Sequence, residues 1–232
     1  MDFFYTPEIN DKNYSFSKEE SKHCIKVLRK KINDEIYLTD GKGNLYKSII
    51  TDNNSNNCKV EIVEKTKIKK DNYKIHIAIN PTKNINRFEW FLEKVTELGI
   101  DEITPIICQN SERKKINLNR LNKIIISAMK QSLKTYLPKL NDITKFSEFI
   151  KNNFEDLKFI AHCKKDKKTS LKNFIKPKKN ILILIGPEGD FTQEEINIAE
   201  RKKFISVNLG KERLRTETAG IIACHTINLI NQ

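Results

Sequence analysis

Residues 181–223 constrain the fold of this 232-residue chain more than any other stretch. Ile181–Ile185 reads ILILI, an unbroken run of branched and long apolar side chains. Such a run suits a strand of a parallel sheet covered on both faces, because a half-exposed strand would alternate. Gly186, Pro187, Glu188 and Gly189 end it, and Thr192 with Glu195 forms a capping box ahead of Ile196, Ile198 and Ala199. A second strand over 204–209 ends at Gly210. A basic turn (Lys211, Arg213, Arg215) then leads to Thr216, read as the N-cap of a helix through Ile221, Ile222, Ile227 and Leu229. Ligands of open parallel sheets gather at the carboxyl ends of the strands, where loop amides and helix N-termini converge. One such glycine alone marks a turn; two strand–glycine loop–helix units in succession predict a pocket.

The rest of the chain divides in two. Phe3, Phe4 and Tyr5 form an aromatic cluster, and Ser17 with Glu20 predicts a capped helix over 18–29 with His23, Lys26, Arg29 and Lys30 on a basic face. Short strands are expected over 35–39, 45–51 and 58–63, with a D-G-K-G turn at 40–43 and a polar loop at 52–57. A basic, weakly structured stretch, 64–72, marks the boundary between domains 1–70 and 71–232. Beyond it come a strand over 75–79, a turn at Pro81 and Asn84, and a helix over 87–98 with Phe88, Phe91, Leu92, Val95 and Leu98 on one face. That helix stops at Gly99, a good C-terminal glycine. A strand over 103–107, a long helix over 118–137 and a strand over 159–162 follow. The lysine run 164–168 reads as a solvated loop.

The net charge of +13 favours a polyanionic partner, since lysine and arginine displace counterions from phosphates. The chain is also rich in Lys, Asn and Ile, so part of that charge is compositional. Five cysteines (Cys24, Cys58, Cys108, Cys163, Cys224) are scattered and never form C-x-x-C, and the histidines lack metal-ligand spacing. Reduced thiols and no metal are expected. No apolar run approaches the roughly 20 residues of a membrane span, so a cytoplasmic protein without a membrane partner is expected.

GPEGDF at 186–191 followed by LGKERLRTETA at 209–219 resembles the carboxyl half of the SPOUT class of RNA methyltransferases. The closest resemblance is to the RsmE family, which methylates N3 of a uridine in 16S ribosomal RNA using S-adenosylmethionine. HCIKVLRK at 23–30, RFEWFLEKVTELGIDEITPI at 87–106 and AMKQSLKTYLP at 128–138 resemble further family segments, so the likeness covers nearly the whole chain. It implies an α/β fold: a SPOUT-type trefoil-knotted parallel-sheet domain over 71–232, preceded by a PUA-like β-barrel domain that grips RNA over 1–70. It further implies a homodimer whose partner is 16S ribosomal RNA or the small ribosomal subunit. Leu184, Gly186, Pro187, Glu188, Gly189, Leu209, Gly210, Leu214, Thr218 and Ala219 would bind the cofactor, with Leu209 and Leu214 sandwiching its adenine. Three departures stand out: Asp190 where a third glycine is common, Glu212–Arg213 where the family has arginine–isoleucine, and Lys134 where arginine is usual.

The N3 nitrogen of neutral uracil carries a proton, so the site has to help remove it, or stabilise the anion left behind, while aligning N3 with the methyl group. Arg215 is the candidate for holding the uracil or a phosphate. Glu217, in the first turn of the last helix, is either the proton acceptor or a partner that pairs with Arg215 and orders the loop. His23, Arg29, Arg113 and Lys134 are the candidate RNA contacts. Two alternatives remain open at this point: another SPOUT reaction (2′-O-ribose or guanine N1 methylation) and a non-catalytic RNA-binding protein of the same fold. A dinucleotide-dependent dehydrogenase is disfavoured, because no G-x-G-x-x-G follows a strand.

Overall fold

A computed structural model describes residues 2–9, 11–152, 154, 157–164 and 168–232. They divide into two compact units: Met1–Lys70 with Met129–Leu137, and Asp71–Ala128 with Pro138–Gln232.

In the first unit, β1 (Phe3–Tyr5), β2 (Asn13–Ser15), β3 (Glu35–Thr39), β4 (Asn44–Asp52) and β5 (Lys59–Lys67) form a five-stranded sheet in the order β1-β3-β4-β5-β2. Alternation along the strands turns Ile36 and Leu38 of β3, and Tyr46 and Ile50 of β4, into a core with Phe4, Phe16, Cys24, Cys58 and Val60. Strand β5 runs four residues past the expected end at Val63. Val63 is a bulge residue, skipped between the pairs Lys47–Glu64 and Ser48–Ile62, and beyond it Glu64 to Lys67 go on to pair with 44–47 of β4. The expected helix over 18–29 is interrupted. Ser17 Oγ accepts from the Glu20 amide at 3.2 Å and starts α1 (Lys18–Lys22), but His23–Val27 widens into a π-turn that carries Cys24 into the core. Arg29 follows in the left-handed region at φ 55°.

The segment Met129–Leu137 belongs to this unit because β3 and the β3–β4 turn receive it. The Thr135 carbonyl accepts from the Gly43 amide at 2.8 Å and from Thr39 Oγ1 at 3.2 Å, and the Leu137 amide donates to Gly41 O at 2.9 Å. Gly43, at φ 89°, is required here: a Cβ on it would lie 2.2 Å from the Tyr136 ring.

The second unit is an all-parallel sheet. In chain order its elements are β6 (Ile75–Ile79), α2 (Ile85–Leu98), β7 (Glu102–Ile107), α3 (Leu118–Gln131, whose last residues belong to the first unit), β8 (Lys139–Leu140), β9 (Thr144–Lys145), α4 (Phe146–Phe149), β10 (Leu157–Ala161), β11 (Thr169–Ser170), β12 (Ile181–Ile185), α5 (Gln193–Arg201), β13 (Ile205–Asn208) and α6 (Thr216–Asn231). The strand order is β11-β13-β10-β12-β6-β7-β8, with β9 also pairing β7. Strands β6 and β12 lie at the centre and every residue of both is buried, as the ILILI run predicts. On one face Leu182, Leu184, Ile160 and Phe204 pack with Phe146, Phe191 and Ile196. Helices α2 and α6 pack together and include the buried Phe88, Phe91, Leu92, Val95, Ala223 and Ile227. The expected helix over 118–137 stops at Gln131, since Leu133 turns the chain at φ 56°.

Candidate cofactor and RNA-methylation site

Parallel strands place all their carboxyl ends at one edge, and there three loops enclose a cavity of about 920 Å³. The loop from β12 to α5 contributes Gly186–Asp190, the loop from β13 to α6 contributes Leu209–Arg215, and the loop leaving β10 contributes His162, Cys163, Lys164 and Lys168. The end of each strand and the start of α6 complete the wall with Ala161, Ile185, Val207 and Ala219.

The two glycine loops are tied to each other. Thr216 does not cap α6, as its place in the sequence suggests: Arg215 is the N-cap residue, and Thr216 Oγ1 instead donates to the Gly186 carbonyl at 3.0 Å. The complete Thr192–Glu195 capping box starts α5, and Glu195 Oε1 also accepts from the Gln109 amide at 2.8 Å. Glu188 Oε1 accepts from the Lys83 amide at 2.9 Å, and Asn110 Nδ2 donates to the carbonyls of Gly189 (3.2 Å) and Asp190 (3.0 Å). Asp190, the departure from the third glycine, takes the left-handed conformation at φ 64° that a glycine would provide. Its Oδ2 also accepts from the Cys163 amide at 2.8 Å, fastening the β10 loop to the glycine loop. At Gly210, φ is 145° and a Cβ would meet nothing within 4 Å, so this position opens onto free space.

Among the residues expected to bind cofactor, Gly186, Pro187, Glu188, Gly189, Leu209, Gly210, Leu214 and Ala219 line this one cavity, as does Arg215. Leu184 does not. The pleat turns it, with Leu182, into the core beside Phe191 and Ile196, while the next residue, Ile185, reaches the cavity. Thr218 is also absent from the lining. Glu217 is buried beside the cavity at 5 % exposure, and the only ion pair recorded for it among the described residues is with Arg87 rather than Arg215, at 3.8 Å from Arg87 Nε to Glu217 Oε1.

The expected RNA contacts are dispersed. His23 and Arg29 are exposed and Lys134 half-buried in the first unit. Arg113 lies in the second, and its guanidinium donates to the Thr82 and Lys83 carbonyls at 2.9 and 2.6 Å, which holds the turn whose amide fixes Glu188. Sequence reasoning missed Arg87, His162, Cys163 and Asn208 as wall residues. The expected strand over 159–162 carried a usable signal for two of them, since His162 and Cys163 follow the end of a parallel strand. Residues 165–167 of the lysine run lie outside the described residues; Lys164 and Lys168 flank the cavity, and Lys168 Nζ approaches His162 Nδ1 at 3.3 Å. Among the described residues no group of three or more His, Cys, Asp or Glu could hold a metal, and no helix is long and apolar enough to cross a membrane.

The family described as RNA methyltransferase domain matches residues 69–228, and the family described as RNA methyltransferase PUA domain matches residues 16–63. Ribosomal RNA small subunit methyltransferase E of Buchnera aphidicola subsp. Acyrthosiphon pisum is 30% identical over 219 residues, covering 90% of this chain and 85% of the relative. The chain belongs to the ribosomal RNA small subunit methyltransferase E family. A solved family member from Neisseria gonorrhoeae, bound to S-adenosyl methionine, is 28% identical with a TM-score of 0.88, covering 100% of this chain and 98% of the other. The crystal structure of a probable rRNA-methyltransferase from Porphyromonas gingivalis is 36% identical with a TM-score of 0.93 and the same coverage. The second unit therefore has the SPOUT methyltransferase fold and the first the PUA-like fold of this family.

Proposed function

We infer that this chain transfers a methyl group from S-adenosylmethionine to N3 of a uridine in the 16S RNA of the small ribosomal subunit. The observation that carries this reading is the cavity itself, in a chain that belongs to a family of small-subunit RNA methyltransferases. The wall suits the cofactor's parts: Leu209 and Leu214 offer apolar faces to an adenine, and the open φ at Gly210 lets the backbone approach closely. Glu188 and Asp190 offer carboxylate oxygens to hydroxyl or ammonium groups. Its volume of about 920 Å³ is within the range of small-molecule sites and leaves room for a base beside the cofactor.

When bound, the cofactor supplies an electrophilic methyl group on a sulfonium; position and electrostatics come from the chain. The Thr216–Gly186 hydrogen bond ties the start of α6 to the first glycine loop, and Asp190 ties Cys163 to the same loop, which helps to place the reacting groups together. Arg215 is exposed at the rim, and among the described residues its guanidinium makes no recorded hydrogen bond, which leaves it available to the uracil carbonyls or a phosphate. The target base has to leave its stack to enter, and the exposed His23 and Arg29 of the PUA-like unit suit a role in gripping the surrounding RNA. The SPOUT fold implies that α6, which packs on β6, β12 and α2, is threaded through a trefoil knot. A cytoplasmic homodimer completes the reading.

The test is to incubate the purified protein with labelled S-adenosylmethionine and unmodified small subunits and to identify the product nucleoside by mass spectrometry. 3-Methyluridine is expected. A 2′-O-methylated nucleoside or 1-methylguanosine would move the chain to another SPOUT reaction, and light scattering at monomer mass would remove the dimer.

A further inference from the structure

Two polar groups beside the cavity have no role in the reading above. Arg87, in the first turn of α2, lines the cavity, yet among the described residues its guanidinium makes no recorded hydrogen bond and its one recorded ion pair is with Glu217. Glu217 is buried, and its Oε2 has no hydrogen-bond partner among the described residues. Burying a carboxylate with an unanswered oxygen is destabilising, so fold stability does not account for it.

The helices determine that these two residues meet. Helices α2 and α6 touch at three levels: Arg87 with Glu217, Phe91 against Gly220, and the Leu98 carbonyl accepting from Asn228 Nδ2 at 2.8 Å. From 87 to 98 and from 217 to 228 the interval is 11 residues, about three turns, so the helices run side by side in the same direction and in register. Gly220 allows this close approach, because a Cβ there would stand 2.5 Å from Phe91 Cε2. The result is a half-exposed guanidinium at the cavity, flanked on its Nε side by a buried carboxylate, with donors to spare.

We propose that Arg87, positioned by Glu217, is a second catalytic cation: its guanidinium binds one of the two uracil carbonyl oxygens beside N3, leaving N3 open to the methyl group, and stabilises the negative charge that oxygen takes up when the N3–H bond breaks. This rests on the uridine-N3 reading. In the step, the N3 proton passes to water, and the electron pair left on N3 forms the bond to the methyl carbon. The pair of the breaking S–C bond remains on sulfur, which becomes a neutral thioether. Glu217 then does not take the proton; its charge keeps the guanidinium in place. A guanidinium stays charged throughout and can aim two N–H donors at the one carbonyl oxygen, which an ammonium on a flexible stem matches less well.

The experiment compares wild type, Arg87→Ala, Arg87→Lys and Glu217→Gln on unmodified small subunits carrying either uridine or 5-fluorouridine at the target, whose N3–H is more acidic. Cofactor affinity is read separately by calorimetry. Failure of the wild type to form 3-methyluridine would overturn the functional reading itself. With that product in hand, Arg87→Ala is expected to keep the wild-type cofactor affinity and lose about 10²–10³ in kcat. The rising limb of its pH–rate profile should move to higher pH, and 5-fluorouridine should restore about tenfold or more. Arg87→Lys should recover part of the loss, and Glu217→Gln should shift the same limb by less. A kcat within about twofold of wild type in Arg87→Ala, or an equal loss on both substrates with an unmoved pH profile, would overturn the proposal. So would loss of the rising limb in Glu217→Gln alone, which would make Glu217 the base.

Discussion

Gly220→Ala probes the contact that sets α6 against α2. The added methyl would lie 2.5 Å from Phe91 Cε2, 2.9 Å from Phe91 Cδ2 and 3.0 Å from Ile79 Cδ1. None of these atoms can yield cheaply: Phe91 and Ile79 are fully buried, and the Phe91 ring stacks on Phe88 at 5.8 Å between centroids. Overpacking of this kind costs about 1–3 kcal/mol. Alanine's helix propensity returns about 1 kcal/mol. The shortest approach is well inside van der Waals contact, which puts the steric cost at the upper end and the net loss at about 2 kcal/mol. For a chain of this length that lowers Tm by about 4–8 °C. Thermal unfolding measures it, and Phe91→Leu in the same chain should relieve the clash, so that the double variant is more stable than the two single losses add up to. A Tm raised by Gly220→Ala, as in an unobstructed helix, would refute the packing argument.

Burial lowers the His76 pKa to about 4, with Glu102 opposing and Lys74 and Lys139 reinforcing, so the unfolded chain binds this proton first. Stability should be fully present above about pH 6.5 and fall toward pH 4, by about 3 kcal/mol if the whole difference is expressed, and denaturant titrations of His76→Gln should show a flatter profile across that window. Gly43→Ala would drive a methyl into the Tyr136 ring at a backbone angle that disfavours side chains. A loss of about 2 kcal/mol or more is expected, with amide exchange accelerated in 39–45 and 132–137 and unchanged in β12. Arg29→Gly removes a charge from a left-handed position, so stability should stay within about 0.5 kcal/mol of wild type while the salt slope of RNA binding falls by about 1. An unchanged slope would exclude Arg29 from the RNA contact.

Local signals made the strand–glycine loop–helix units legible. Ile181–Ile185 is a strand residue for residue, Thr192 and Glu195 form the expected box, and Gly99 ends α2 in the left-handed region at φ 96°. What escaped depends on partners distant in sequence. Helix α3 stops at Gln131 because the following residues are received by the turn at Gly41–Gly43, about 90 residues earlier, and β5 continues past its own bulge at Val63 because 44–47 of β4 pair with it. The helix after Ser17 yields to a π-turn because Cys24 enters the core. At the site, motif membership put Leu184 and Thr218 with the cofactor residues, whereas the pleat turns Leu184 into the core and Thr218 lies off the lining. Arg87 opens the family-like segment 87–106, but nothing in that segment places it at the cavity; only the register of α2 on α6 brings it to Glu217.

We propose that the cavity between the two glycine loops holds the cofactor. A crystal structure of this protein grown with S-adenosylmethionine tests it most directly. The adenine is expected between Leu209 and Leu214, with backbone contacts from Gly186 to Gly189 and at Gly210, and the methyl group facing the space beside Arg215 and Arg87. Cofactor density at any other place on the chain, or none at saturating concentration, would contradict it.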